Sequence, residues 1–343
     1  MMDKKSIFQT IIKTTKIVAP IIAVESIYHK MFDHRFYSPK FFSFADSDFP
    51  NLIKEKQTFK SNEGNTLKGY IYRQKSAQIQ GIFVFSHGYG GGGHHCYLDL
   101  INAVTEEGFL VFAYDATAND ESEGKSIHGF TQGMLDADKA ISHIESLKKY
   151  KDLPLYLMGH SWGAYSVSNA LDYHPRVKGL ISLSGFNMST SIFEANGELY
   201  AGDSSKEFYE KIHAHEMDLF KELANHTAID SFRSSKARIC IIHAENDKTV
   251  PISAGYDKYY QEFKNDKRFK FIHYIARGHA TIYYTNEGRR YVERINKTYE
   301  KYIKANKPTE QQKEDFLKGL IDRKIYCSLV DKKLIKEAIK FIK

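Results

Sequence analysis

The amino-acid sequence predicts an α/β fold, in which a mostly parallel central β-sheet is covered by helices on both faces. The first observation is a series of short, continuous apolar segments separated by stretches of helical length, which is typical of parallel strands buried on both sides. The second is that polar or glycine-rich motifs directly follow four of these segments, and such sheets gather their functional groups at the carboxyl ends of strands. The apolar segments are residues 82–86, 109–114, 153–158, 177–183, 238–243 and 268–275.

A hairpin is predicted before this alternation begins. Residues 56–60 and 67–72 flank a turn-forming stretch, Ser61-Asn-Glu-Gly-Asn65. Strand-like segments joined by such a short turn are typical of two antiparallel strands. We therefore expect this pair at an edge of the sheet. Among the helices that follow, one is predicted over about residues 130–149.

The domain organisation follows from the spacing of the strands. Residues 51–186 and 236–306 are assigned to the α/β core. Residues 187–235 separate two strands by far more than an ordinary connection, and we predict a small helical lid there, with a surface excursion that has no role in binding as the alternative. Residues 307–343 form a lysine-rich tail of two short amphipathic helices, and the sequence leaves open whether it packs on the body, dimerises or contacts a membrane.

Residues 1–50 are predicted to form an amphipathic helix and an aromatic-rich connector. The uninterrupted apolar run, Ile17–Val24, is much shorter than the ~20 residues that a spanning helix needs. One interpretation is a helix that packs on the body or lies on a membrane surface, and the other is a signal or anchor segment. The three cysteines imply no disulfide framework. We expect a cytoplasmic protein, with peripheral membrane contact through its N-terminus as one prediction.

Composition and motifs disfavour several classes of partner. The net charge is +7, but the lysines are scattered and no nucleic-acid motif accompanies them, so no nucleic-acid partner is predicted. The glycine run at residues 90–93 lacks the Gly-Lys-Ser/Thr sequence of a phosphate loop. His94, His95 and Cys96 have no neighbouring set of carboxylates in the sequence. We therefore predict neither a metal nor an organic cofactor.

The candidate nucleophile is Ser161, in the sequence Gly159-His-Ser-Trp-Gly163. An apolar strand precedes this turn and a helix follows it, which is the setting of a nucleophile elbow. The backbone at the serine is strained in such a turn, and strand and helix pass too close for side chains at the two glycines. The arrangement holds the hydroxyl beside a helix N-terminus, where free N–H groups favour developing negative charge.

A serine hydroxyl needs a base, and the base needs an orienting acid. His279 follows the segment 268–275, and Asp247 follows the segment 238–243. The chain order serine, aspartate, histidine is that of the α/β-hydrolases. Glu245 is the nearest substitute if Asp247 only caps the next helix. We predict a catalytic triad of Ser161, Asp247 and His279.

These motifs resemble those of α/β-hydrolase-fold serine hydrolases, in the branch that holds monoacylglycerol lipases, lysophospholipases and serine aminopeptidases. The matching stretches are His87-Gly-Tyr-Gly90, Gly159–Gly163, Asn246–Pro251 and Gly278-His279. The resemblance implies an α/β-hydrolase fold and an oxyanion hole formed by the backbone N–H groups of Tyr89 and Trp162. The sequence departs from the family at residues 115–124, where the usual arginine and glycines are missing.

The expected reaction is hydrolysis of a carboxylic ester with a medium or long acyl chain, through an acyl-enzyme on Ser161. The alternative is a peptidase of the aminopeptidase type, for which Glu194, Glu198 and Glu207 would receive the substrate's α-amino group. A third possibility is a non-catalytic binding protein on the same scaffold. The sequence leaves the oligomeric state undetermined.

Overall fold

The computed structural model describes residues 20–76, 78–201 and 205–343. Its centre is an eight-stranded sheet in the order β1-β2-β4-β3-β5-β6-β7-β8. The first two strands form the predicted antiparallel hairpin, β2 also runs antiparallel to β4, and all the remaining pairs are parallel. The strands are β1 (Leu52–Lys60), β2 (Thr66–Gln74), β3 (Gly81–Ser86), β4 (Phe109–Tyr114), β5 (Leu155–His160), β6 (Val177–Leu183), β7 (Arg238–Ala244) and β8 (Phe269–Tyr274). The predicted mostly parallel α/β fold is confirmed.

Helices cover both faces of the sheet, as the buried strand patterns require. They are α1 (Pro20–Phe32), α2 (Leu98–Glu106), α3 (Thr131–Ser146), α4 (Trp162–Asn169), α5 (Ser191–Ala201), α6 (Ser205–Phe220), α7 (Ala228–Ser234), α8 (Tyr256–Phe263), α9 (Asn286–Asn306), α10 (Glu310–Leu320), α11 (Arg323–Tyr326) and α12 (Lys332–Ile342). Alternate residues of a strand point to opposite faces. In β3, accordingly, Ile82 and Val84 belong to one apolar core, whereas Phe83 and Phe85 belong to the other.

The first core lies under α1, α3, α4 and the helices inserted between β6 and β7. That insertion holds α5, α6 and α7, and its residues Ile192, Phe193 and Ile212 are buried. The helical content of residues 187–235 thus agrees with the sequence, and the lid function remains a prediction.

The C-terminal tail packs on the body, which resolves one of the alternatives left open by the sequence. It forms three helices rather than two, because the short helix α11 stands between α10 and α12. Helix α12 contributes Leu334, Ile335, Ala338, Ile339 and Ile342 to the second core. The sheet accommodates it closely, since a Cβ at Gly179 would lie 2.6 Å from the Cβ of Ile342.

The described part of the N-terminal segment is α1, which also packs on the body. Val24, Tyr28 and Phe32 on this helix are buried. The earlier apolar positions of the predicted amphipathic helix, residues 7 to 18, lie outside the described residues. Within the part of the chain that the structure describes, no helix is both long and apolar enough to cross a membrane.

Candidate active site

Ser161 lies directly between the end of β5 and the start of α4. Its backbone has φ 58° and ψ −121°, the strained conformation expected of a nucleophile elbow. A Cβ at Gly159 would lie 2.3 Å from the carbonyl group of Gly163, and one at Gly163 would lie 2.0 Å from the carbonyl oxygen of Ser86. Strand, turn and helix are therefore so close that only glycine fits at positions 159 and 163.

In the predicted triad, His279 lies within hydrogen-bond distance of both Ser161 and Asp247. Nε2 of His279 is 2.8 Å from Oγ of Ser161, and Nδ1 of His279 is 2.7 Å from Oδ2 of Asp247. They come from the carboxyl ends of β5 and β7 and from the loop after β8. Ser161 and Asp247 are buried and His279 is partly buried. The arrangement can take a proton from the serine and hold the resulting imidazolium against a carboxylate.

The carboxylate of Asp247 is held in place by its own loop. Its Oδ1 accepts hydrogen bonds from the backbone N–H groups of Thr249 and Val250, each at 2.9 Å, which leaves Oδ2 for the imidazole. Burial by itself would raise the pKa of Asp247. The charge and hydrogen bond of His279 outweigh that effect and lower the pKa to about 2. Glu245, the substitute acid, is exposed, and its Oε2 lies 3.9 Å from Nε2 of His273.

The two expected oxyanion donors lie at the start of α4 and in the loop after β3. Trp162 is the first residue of α4, so its backbone N–H has no intrahelical partner. Tyr89 lies in the loop after β3, where Gly90 has φ 76° and turns the chain. The side chain of Trp162 is buried, and its Nε1 donates to the carbonyl oxygen of Phe130 at 2.8 Å. The indole therefore packs beneath the site.

His87 holds the loop after β3. Its Nε2 accepts a hydrogen bond from the backbone N–H of Ala116 at 3.0 Å, which makes Nδ1 the protonated nitrogen. Burial lowers the pKa of His87. The neutral ring thus ties the start of the oxyanion loop to the end of β4.

The histidines after the glycine run have no set of carboxylates near them in the sequence, but the fold brings one carboxylate to them. Asp115 lies beside them, and the ligand atoms of His94, His95 and Asp115 fall within 4.8 Å of one another. Both nitrogens of the His94 ring already have partners, however. Nδ1 is 2.6 Å from Oδ1 of Asp115, and Nε2 is 2.8 Å from the hydroxyl of Tyr72. The buried residues Tyr72, His94 and Asp115 thus connect β2, the end of β4 and the segment that leads into α2.

The insertion carries a buried carboxylate that sequence analysis missed. Glu216 on α6 hydrogen-bonds to the hydroxyl of Tyr28 on α1 and accepts one from Oγ1 of Thr131 at 3.0 Å. Burial raises the pKa of Glu216. His213 and His215 on the same helix are half-buried, and the ring centroid of His215 lies 4.4 Å from that of Tyr28. Glu216 lies four residues after Ile212, so the two side chains share one face of the helix. This spacing was the signal in the sequence that Glu216 is buried.

The acidic residues considered for an aminopeptidase are only partly described. Glu194 forms an ion pair with Lys258, with 3.1 Å between Oε2 and Nζ. The side chains of Glu198 and Glu207 lie outside the described residues. Glu194 is thus already paired with a cation of this chain, Lys258.

Comparisons with known proteins agree with this architecture. Residues 77–191 match the model of the family described as serine aminopeptidase, S33. Over 119 residues, 33% of this chain, the sequence is 29% identical to monoglyceride lipase of Mus musculus, and the match takes in 37% of the lipase's length. The monoglyceride lipase of Rattus norvegicus matches to the same extent.

Solved structures extend the similarity of fold to most of the chain. An esterase of Pyrococcus furiosus superposes with a TM-score of 0.57 at 16% identity, over 80% of this chain and 97% of the esterase. Est1E of Butyrivibrio proteoclasticus, solved with ferulic acid bound, gives a TM-score of 0.53 at 15% identity, over 83% and 99% of the two chains. The chain therefore has the α/β-hydrolase fold, and residues 77–191 resemble the serine aminopeptidase S33 family.

Proposed function

We propose that this protein is a serine hydrolase that cleaves a carboxylic ester with a medium or long acyl chain, monoacylglycerol-like, through an acyl-enzyme on Ser161. The observation that carries the proposal is the continuous hydrogen-bonded series from Asp247 through His279 to Ser161, at 2.7 and 2.8 Å. A serine activated by a base, with the base oriented by an acid, is the arrangement that acyl transfer needs.

The first half of the reaction acylates the serine. Oγ of Ser161 attacks the ester carbonyl carbon while Nε2 of His279 takes the hydroxyl proton, and Asp247 holds Nδ1–H and the charge that forms on the ring. The backbone N–H groups of Tyr89 and Trp162 stabilise the tetrahedral oxyanion, a contribution of about 2.7–4 kcal/mol for each donor. The intermediate collapses as the carbon–oxygen bond to the alcohol breaks, and His279 returns the proton to the departing alcohol.

The second half releases the acid. Water attacks the acyl carbon while Nε2 of His279 takes one of its protons, and collapse of the new tetrahedral intermediate expels Ser161, which recovers that proton. The carboxylic acid leaves and the site returns to its starting state. The mechanism uses no metal and no organic cofactor.

The preference for an apolar acyl group rests on the aromatic residues around the oxyanion loop. The ring of Tyr89 lies 5.3 Å from that of Phe130, and the ring of Phe130 lies 5.4 Å from Phe186 and 6.0 Å from Phe193 of α5. Apolar and aromatic walls with a few polar groups are typical of sites for such ligands. The acyl chain would lie against this cluster.

The test is turnover of a chain-length series of p-nitrophenyl esters by the full chain. We expect activity that peaks at a medium or long acyl chain and falls by about 10⁴–10⁶-fold in Ser161→Ala, because the nucleophile is then missing. A fluorophosphonate should label the unaltered protein stoichiometrically and leave Ser161→Ala unlabelled.

Two other results would change the conclusion. Faster turnover of aminoacyl anilides than of any ester would favour the aminopeptidase alternative. No turnover and no labelling would contradict the hydrolase proposal and favour a binding protein on this scaffold.

A further inference from the structure

A second series of hydrogen bonds lies behind the candidate triad. It begins at the oxyanion loop, where the backbone N–H of Gly88 donates to the hydroxyl of Tyr97 at 3.1 Å. That hydroxyl is 2.9 Å from Nδ1 of His160, and Nε2 of His160 is 3.1 Å from the carbonyl oxygen of His279. His160 thus connects the loop after β3 to the backbone of the candidate base.

The chemistry of these partners fixes the proton positions. A carbonyl oxygen can only accept, so Nε2 of His160 must carry the proton that it shares with His279. In a neutral imidazole the other nitrogen is then an acceptor, and Nδ1 receives the hydroxyl proton of Tyr97. The tyrosine oxygen in turn accepts from Gly88, so each group in the series has a consistent role.

The surroundings of His160 leave it little freedom to move. The residue is 4% exposed, and its ring centroid lies 4.8 Å from that of His279 and 5.8 Å from that of Tyr283. A Cβ at Gly88 would lie 2.6 Å from the hydroxyl oxygen of Tyr97, so the contact depends on glycine there. The imidazole of His160 is therefore held in one position, from which it contacts the backbone of the His279 loop.

The carbonyl oxygen of His279 also accepts a longer hydrogen bond from the backbone N–H of Ile282, at 3.4 Å. The loop is held before the base as well. The backbone N–H of Gly278 donates to Oδ1 of Asn246 at 2.8 Å. The peptide group between Arg277 and Gly278 and the one that follows His279 are thus each held by a side chain from a different strand end. Because His279 must keep its ring between Ser161 and Asp247, a shift of its backbone moves both catalytic hydrogen bonds together.

We propose that His160 is a positioning residue, which holds the carbonyl group of His279 and couples the catalytic base to the oxyanion loop through Tyr97. This inference rests on the proposed function, because it concerns the same site. Catalytic groups must be held within about 0.5 Å of their productive positions, and a misplacement of ~1 Å costs up to about 100-fold in rate. The positioning by His160 therefore affects the rate of acylation of Ser161 rather than the binding of substrate.

The test compares two variants of similar side-chain size. His160→Leu fills the space but cannot donate, whereas His160→Gln keeps an N–H close to the position of Nε2. The readout is the rate constant for labelling of Ser161 by a fluorophosphonate, which needs no knowledge of the natural substrate. We expect labelling to slow at least about 10-fold in His160→Leu and to recover to within about 3-fold in His160→Gln. For any ester that is turned over, kcat should fall with KM unchanged.

The outcomes separate this inference from the proposed function. If the unaltered protein is not labelled, the proposed function fails, and the positioning role fails with it. If the unaltered protein is labelled and a folded His160→Leu is labelled equally fast, only the positioning role is overturned. Equal slowing in the Leu and Gln variants also overturns it, because loss of packing would then explain the result.

Thermal melting shows whether each variant is folded. If His160→Leu is not folded, Tyr97→Phe takes its place, since it keeps the ring and removes only the hydroxyl between Gly88 and His160. We expect about 3-fold slower labelling of this variant, and labelling at the unaltered rate would overturn the inference.

Discussion

At the scale of single residues, the carboxylates of this protein lie in surroundings that differ sharply. Asp247 is buried, and its two oxygens are divided between the backbone of its own loop and His279. Glu245, two residues earlier, points to solvent. Asp99 is fully buried, and burial raises its pKa to about 7. Side chains of the same chemical type thus acquire different properties from burial and from the partners that can donate to them.

The first prediction concerns the orienting acid. Asp247→Asn should lower kcat about 10³–10⁴-fold, because the amide can stabilise neither the required imidazole tautomer nor the imidazolium. The measurement is steady-state hydrolysis of the best p-nitrophenyl ester.

Glu245→Gln is the matched control, and it should retain nearly full activity because its carboxylate lies away from His279. A large loss in Glu245→Gln together with a small loss in Asp247→Asn would reverse the assignment of the acid.

At the scale of elements, helix and strand ends bring the functional groups together. The structure extends β5 to His160, two residues past the predicted strand end, so that Ser161 comes directly at its tip. On the same face of the sheet, Glu216 of α6 joins the insertion both to α1 and to Thr131, at the start of α3. The N-terminal helix α1 therefore packs, together with the insertion, over the aromatic cluster of Tyr89, Phe130, Phe186 and Phe193.

The second prediction concerns His174, which follows α4 and contacts α3. Its Nδ1 lies 2.9 Å from Glu145, and its Nε2 lies 3.3 Å from Asp138. Burial alone would lower the pKa of His174, but these two carboxylates raise it from 6.5 to about 9. Because the folded-state pKa is the higher one, the stabilisation is complete below pH 6.5 and is lost as the pH rises through about 9.

The measurement is the free energy of unfolding in urea between pH 6 and 10. The difference in stability between the unaltered protein and His174→Gln should be largest at the acid end and should shrink towards pH 10. A difference that stays constant across this range would contradict the pKa shift.

At the scale of the whole molecule, the tail completes the fold. Helix α12 lies against β6 and β7 and buries one apolar face, while Lys336 and Glu337 point outwards. The sheet needs helices on both faces to remove its strands from water. The apolar positions of the tail thus find their partners within the same chain.

The third prediction tests this packing. Ile339→Ala should lower the free energy of unfolding by about 2–5 kcal/mol, because it removes buried methyl groups and leaves a cavity beside the sheet. Lys336→Ala, on the exposed face of the same helix, should change it by no more than about 0.5 kcal/mol.

Urea denaturation checks both variants. A small effect of Ile339→Ala would mean that α12 contributes little to the core. Catalytic rates under folding conditions should be unchanged in both variants, because neither residue contacts the site.

Much of the fold and the candidate triad could be predicted from local pattern. The period of two in the hairpin and the apolar runs of the parallel strands are short-range signals of burial, and Gly159 and Gly163 mark a turn that only glycine permits. The partners of Glu216 and the carboxylate beside His94 could not be predicted, because Tyr28 and Asp115 are distant in sequence. No local pattern encodes which buried polar groups will meet.

By itself, the sequence determined the α/β class, the strand ends that carry the candidate site, and the chain order of the candidate nucleophile, acid and base. These follow from backbone sterics and from burial, which act over a few residues. Only the tertiary structure decided where the tail packs, how α1 and the insertion meet over the aromatic cluster, and that His160 contacts the backbone of His279. Those outcomes depend on surfaces that form only after the sheet has assembled, when residues from distant segments compete for the same space and the same hydrogen-bond partners.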